Sequence, residues 1–163
     1  MPESSKVVYR IAQVPVEEIL PLRHRVLRPG LPFESARFKG DALPESVHLA
    51  LYAGDPESVV AVASLYRQSR EVPSSPRLAD QLRGMASAPE VRGQGYGALL
   101  LQYAEALSRE RGVEELWFNA RISAQGFYAR AGFETVSDVF EIPGVGPHVV
   151  MIKTWSSSAE RTL

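Results

Sequence analysis

The residues with the clearest chemistry run from Arg92 to Gly97, Arg-Gly-Gln-Gly-Tyr-Gly. A short apolar run, Met85 to Ala88, precedes them and stops at Pro89. A helix follows, with Leu100, Tyr103, Ala104 and Leu107 at i, i+3, i+4 and i+7 as its apolar stripe. Glu105 and Arg109 can pair on its wet side, and Gly112 stands where a helix-ending glycine would. Strand, glycine turn and helix together point backbone N–H groups at an anion, because a helix begins with orphan donors and a positive dipole end. Glycines 93, 95 and 97 lack the Cβ atoms that would hold a phosphate away. A Walker loop is excluded, because position 98 is alanine and no lysine is near. The dinucleotide fingerprint Gly-x-Gly-x-x-Gly also fails, since the glycines run Gly-x-Gly-x-Gly. The spacing present is Arg-x-x-Gly-x-Gly, at Arg92, Gly95 and Gly97. A plain glycine-rich surface turn is the bland alternative.

The elements that must position this turn are readable in order. Lys6 to Gln13 suits a first strand. Pro15, Glu17 and Glu18 then open a helix with Ile19, Leu22, Val26 and Leu27 inward, and Pro21 predicts a kink or two short helices. Residues 28–46 hold three prolines and two glycines, too punctuated for a regular element. Val47–Ala53 and Val59–Tyr66 read as strands buried on both faces, joined by Gly54-Asp55-Pro56. Gln68–Leu78 reads as a loop and Gln81–Ala88 as the strand entering the glycine turn. Glu114–Ala120 is the strand after the long helix, which predicts a parallel crossover. Ile122–Ala131 predicts a short helix capped by Ser123 and ended by Gly132. Phe133–Ile142 and His148–Trp155 predict a hairpin around Pro143–Pro147. The class is α/β, a mixed sheet with flanking helices. One domain over residues 1–155 is expected, with 156–163 as a flexible tail.

Composition removes several chemistries. The chain has 163 residues and no cysteine, which excludes disulfides, a thiolate nucleophile and Cys-ligated zinc. A formal net charge of −1 suggests neither a nucleic-acid face nor a membrane surface. The first residues, Met-Pro-Glu-Ser-Ser-Lys, carry no apolar signal segment, so a cytoplasmic location is expected.

A second motif adds to the glycine turn. Asn119, Ala124 and Phe127-Tyr128-Ala129-Arg130-Ala131-Gly132-Phe133 follow it by about 25 residues. Together the two segments resemble those of the GNAT superfamily of acetyl-CoA-dependent N-acetyltransferases, whose second segment reads Asn-x-x-Ala-x-x-Phe-Tyr-x-x-x-Gly-Phe. One departure is that four residues, not two, separate Asn119 from Ala124. The resemblance implies a GNAT-like fold, a mixed and mostly antiparallel sheet of six to seven strands with a splayed parallel pair. It implies acetyl-CoA as co-substrate and no metal. Backbone N–H groups of Arg92, Gly93, Gln94, Gly95, Tyr96 and Gly97 would then hold the pyrophosphate. The strand Met85, Ala86, Ser87 would pair with the pantetheine arm, and the Ser87 N–H would polarise the thioester carbonyl. Asn119, Ala124, Phe127 and Tyr128 would complete the cofactor contacts.

Acetyl transfer needs a deprotonated amine, a polarised carbonyl and a proton for the leaving thiolate. By its place in the motif, Tyr128 is the acid: a phenol with pKa of about 10 is protonated at neutral pH. A packing tyrosine is the alternative. Of the three histidines, His24 is expected to be structural and His48 begins a strand. His148 would lie near Asn119 and Tyr128 if the last strand runs antiparallel beside Glu114–Ala120, and it could bind the acceptor or relay its proton. A hydrogen-bonded strand-end histidine, or ordered water as the base, are the alternatives. Residues 28–46, with Leu31, Phe33 and Phe38 apolar and Glu34 and Asp41 available to attract an amine, and the 142–147 loop should face the acceptor. That acceptor is a small-molecule or protein amine, and a homodimer is admissible. The competing reading is a non-catalytic acyl-CoA-binding regulatory module on the same fold.

Overall fold

The computed structural model describes residues 8–71 and 77–155. The expected strand start at Lys6–Val7, the two prolines at 73 and 76, and the tail 156–163 lie outside the described residues. The strands are β1 (Tyr9–Val14), β2 (Val47–Ala53), β3 (Ser58–Arg67), β4 (Ala79–Ser87), β5 (Glu115–Arg121), β6 (Glu134–Thr135), β7 (Phe140–Ile142) and β8 (Gly146–Thr154). The helices are α1 (Val16–Leu27), α2 (Tyr96–Glu110) and α3 (Gln125–Arg130). The sheet is mixed and eight-stranded, in the order β1-β2-β3-β4-β5-β8-β6, with β7 also on β8. By contacts the chain divides into two units, Met1–Leu65 with Gly84–Ala104, and Tyr66–Arg83 with Glu105–Leu163.

In the first unit, β1, β2 and β3 pair antiparallel in sequence order. The apolar runs of β2 and β3 are buried as expected, with Leu49, Leu51, Val62 and Leu65 fully enclosed. Helix α1 buries Ile19 and Leu22 against Ala50, Val62, Ala86 and Ala88. Pro21 does not break it: one helix runs through, with Pro15 as N-cap. An interior proline costs about 3 kcal/mol. Burying Ile19, Leu20 and Leu22 around it returns roughly 1.5–3 kcal/mol each, so tertiary packing decides. Residues 28–46 are irregular apart from a 3-10 turn at Phe33–Ala36.

This irregular segment is anchored by a network that sequence reasoning missed. Arg23, fully buried on α1, donates to Asp41 Oδ2 at 2.8 Å, to Ala36 O at 2.9 Å and to Ser64 Oγ at 2.8 Å. His48 Nε2 donates to the Asp41 carbonyl at 3.0 Å, which leaves Nδ1 to accept from the Ser64 hydroxyl at 2.7 Å. Asp41 is thus engaged by Arg23 and by the Phe38 N–H, and does not stand open to attract an amine. His24 is structural, as expected, with Nε2 donating to Leu31 O at 2.7 Å.

In the second unit, β4 and β5 are parallel, as the crossover pattern predicts. Their ladder covers Ala79–Gln81 against Glu115–Trp117. β8 runs antiparallel to β5 over the whole of β5, from Glu115↔Thr154 to Arg121↔His148. The single strand expected over Phe133–Ile142 is split in two. Thr135 faces Met151 and Phe140 faces His148, so residues 136–139 bulge opposite Val149 and Val150. The Ser137 hydroxyl accepts the Val150 N–H at 2.8 Å in place of a backbone partner. On α2 the buried positions are Tyr96, Leu100, Leu101, Ala104 and Ser108, while Tyr103 is exposed, so the stripe is turned from the predicted one. Glu105 and Arg109 pair at 3.1 Å as expected. No helix among the described residues is long and apolar enough to cross a membrane.

Candidate active site

The glycine turn belongs to the first unit. β4 delivers Met85, Ala86 and Ser87, with Ala86 buried in the core and its two neighbours partly exposed. The Ala88 N–H donates to Val60 O at 2.8 Å, which pins the end of the strand. A 3-10 turn, Pro89–Val91, follows. Gly93 and Gly95 take φ of +88° and +85°, and a Cβ on either would meet nothing within 4 Å. The left-handed turn is therefore open, and glycine alone adopts it without strain. The N–H groups of Arg92 and Gln94 close long turns onto Pro89 O and Val91 O, at 3.4 and 3.3 Å. Helix α2 begins at Tyr96, and its first bond runs from the Leu99 N–H to Gly95 O. The N–H groups of Tyr96, Gly97 and Ala98 therefore precede the helical ladder. Arg92 is exposed. Glu90, two residues earlier, is held by Arg25 at 2.6 and 3.0 Å, which keeps its carboxyl below the ordinary range.

Tyr128 sits in the second unit, on α3. The expected Ser123 cap is not formed: residues 122–124 make a 3-10 turn and Ala124 precedes α3 without a side-chain cap. The helix is fixed at its other end. Gly132, at φ +96°, donates to Ala129 O at 3.0 Å, and the Phe133 N–H reaches back to Tyr128 O at 3.1 Å. This pair of bonds is a Schellman cap, with the Tyr128 and Phe133 rings 6.4 Å apart as its apolar contact. The Tyr128 ring also lies 4.2 Å from Phe118 and 5.1 Å, edge-on, from Phe127. Burial among these rings pushes the phenol up to about 12.

The β5–β8 pairing places the other expected residues. Asn119 is exposed and opposite Val150. His148 is buried and opposite both Arg121 and Phe140. Its Nδ1 lies 2.8 Å from the Gly146 carbonyl, so Nδ1 carries the hydrogen and neutral His148 keeps its lone pair on Nε2.

The sequence profile of the Acetyltransferase (GNAT) family matches residues 16–133. The chain belongs to that family. As a GNAT protein it is an acetyltransferase. Among relatives, it is 35% identical over 148 residues to YitI of Bacillus subtilis (strain 168), an uncharacterized N-acetyltransferase, covering 91% of this chain and 97% of that one. Solved GNAT-type folds align over nearly the full length. Escherichia coli ElaA superposes with TM-score 0.71 at 18% identity, over 91% of this chain and 99% of that one. An aminoglycoside 6'-N-acetyltransferase complexed with coenzyme A superposes with TM-score 0.67 at 17% identity, over 89% and 96%.

Proposed function

We propose that this GNAT protein transfers the acetyl group of acetyl-CoA to a primary amine by direct attack in a ternary complex. The observation that carries the reading is the glycine turn. Gly93 and Gly95 are left-handed with open space over both Cα atoms, and they lead into a helix start with orphan N–H groups. These features fit a pyrophosphate, whose donors would be Gly93, Gly95, Tyr96 and Gly97, with Arg92 adding charge. A coenzyme A complex exists among structures of similar fold. The absence of cysteine from the sequence leaves no thiol to form an acyl-enzyme, which favours direct transfer.

The residues then divide the chemistry as follows. His148 Nε2, the acceptor nitrogen of a tautomer set by Gly146, takes the proton of the incoming ammonium, directly or through water. The amine attacks the thioester carbonyl, which the Ser87 N–H polarises by family resemblance. The C–N bond forms, the nitrogen loses its second proton to solvent, and the C–S bond breaks. Tyr128, protonated across the physiological range, gives its proton to the departing thiolate and recovers one from solvent. Asn119, Ala124 and Phe127 line the donor by resemblance, as do Met85 and Ala86. The acceptor is a small-molecule or protein amine.

Thiol release from acetyl-CoA over a panel of amines, with product masses, tests the reading. Acetyl-CoA at about 100 times its dissociation constant should raise the unfolding free energy by roughly 2.7 kcal/mol. Stabilisation without any acetylated product would favour a non-catalytic acyl-CoA-binding module. No stabilisation by acetyl-CoA or coenzyme A would overturn both.

A further inference from the structure

The helix that carries Tyr128 is six residues long, too short to hold itself. It has no side-chain cap at its start, so its placement depends on ring packing and on the cap at its end. Tyr128 is part of that cap: its carbonyl accepts from Ala131 at 3.0 Å and from Phe133 at 3.1 Å. Any slack there turns the tyrosine.

One side chain closes this cap from outside. Lys153 Nζ donates to the Ala131 carbonyl at 3.1 Å and to Glu105 Oε1 on α2 at 2.8 Å. It stands 5.5 Å from the Phe133 ring centroid, and a Cβ added to Gly132 would come within 3.1 Å of it. A cation belongs at a helix C-terminus, where the dipole is negative. Glu105 is held in turn by Arg109, whose guanidinium lies 4.4 Å from the Trp155 ring. Lys153 itself is on β8, opposite Leu116 of β5 and next to Ile152, which faces both Trp117 and Glu134. The cap of α3 is thereby tied to a strand with ladders on both sides.

We propose that Lys153 is a positioning residue for acetyl transfer, holding the C-terminal cap of α3 so that Tyr128 keeps one orientation. The inference rests on Tyr128 as the proton donor. Small displacements of a reacting group can cost up to about a hundredfold in rate, so partial loss of this tie should cost on the order of tenfold.

Thiol release from acetyl-CoA checks it, measured with the best amine of the panel and independently with water as acceptor. Lys153→Met should lower kcat on the order of tenfold with the acetyl-CoA KM nearly unchanged, below its melting temperature. Lys153→Arg, which keeps the charge and donors, should recover most of the loss. Adding Lys153→Met to Tyr128→Phe should cause no further slowing, because the lysine acts through that phenol. Lys153→Met with normal kcat, or additive losses in the double variant, overturns the inference while leaving Tyr128 as the acid. Tyr128→Phe with wild-type turnover overturns the acid assignment, and the inference falls with it.

Discussion

Gly95 and Gly132 share nearly the same backbone, φ +85° and +96°, yet they stand in opposite surroundings. Nothing lies within 4 Å of where a Gly95 Cβ would be. At Gly132 the same position is taken by Lys153 Nζ at 3.1 Å. One glycine holds space open, and the other lets a protein cation come close. The first suits a ligand; the second suits a cap. A left-handed glycine beside a helix therefore says that the chain turns there, and its neighbours say for what.

Substitutions can break or sharpen this contrast. The largest effect is expected at the tyrosine that the Gly132 cap holds. Tyr128→Phe should lower kcat by roughly 10²–10⁴, the usual contribution of a positioned acid, while coenzyme A affinity stays nearly constant in calorimetry. An equal loss in affinity would contradict the assignment as proton donor. Gly95→Val comes next. Its side chain enters the open space and strains the turn, so acetyl-CoA stabilisation measured by thermal shift should fall by tenfold or more in apparent affinity. The strain itself costs about 1–2 kcal/mol of fold stability. Gly132→Ala should show the reverse balance: a stability loss of about 1–2 kcal/mol in denaturant unfolding with nearly normal coenzyme A binding. If Gly132→Ala weakened binding as much as Gly95→Val, the two glycines would not differ in role.

The last effect appears only in alkali. The folded Tyr128 phenol titrates near 12 and the unfolded one near 10. Between those values the native state keeps a proton that the unfolded chain has lost. The tyrosine's contribution is thus complete below pH 10 and disappears as pH rises toward 12. Tyr128→Phe should flatten that part of the stability profile, as read by urea midpoints from pH 9.5 upward.

Much of this was legible in the sequence because the signals are local. The Gly-x-Gly-x-Gly turn, the α2 span, the Gly54-Asp55-Pro56 hairpin and the helix ending at Gly132 are set by residues within a few positions of each other. Other features were not legible. The Pro21 helix continues because distant β-strands bury its inner face. The predicted strand over 133–142 breaks because two ladders on β8 are out of step by two residues, with Ser137 filling the gap. Asp41 looked available for an amine, but Arg23, eighteen positions away, holds it. Lys153 gave no sign at all, since its partners are 22 and 48 residues distant.

By itself, then, the sequence determined the open glycine turn, the tyrosine motif and the family they imply, because backbone conformation and motif spacing are near-neighbour properties. Only the tertiary structure decided how Tyr128 is held, which tautomer His148 adopts and which carboxylates are engaged, because these depend on contacts between residues far apart in the chain.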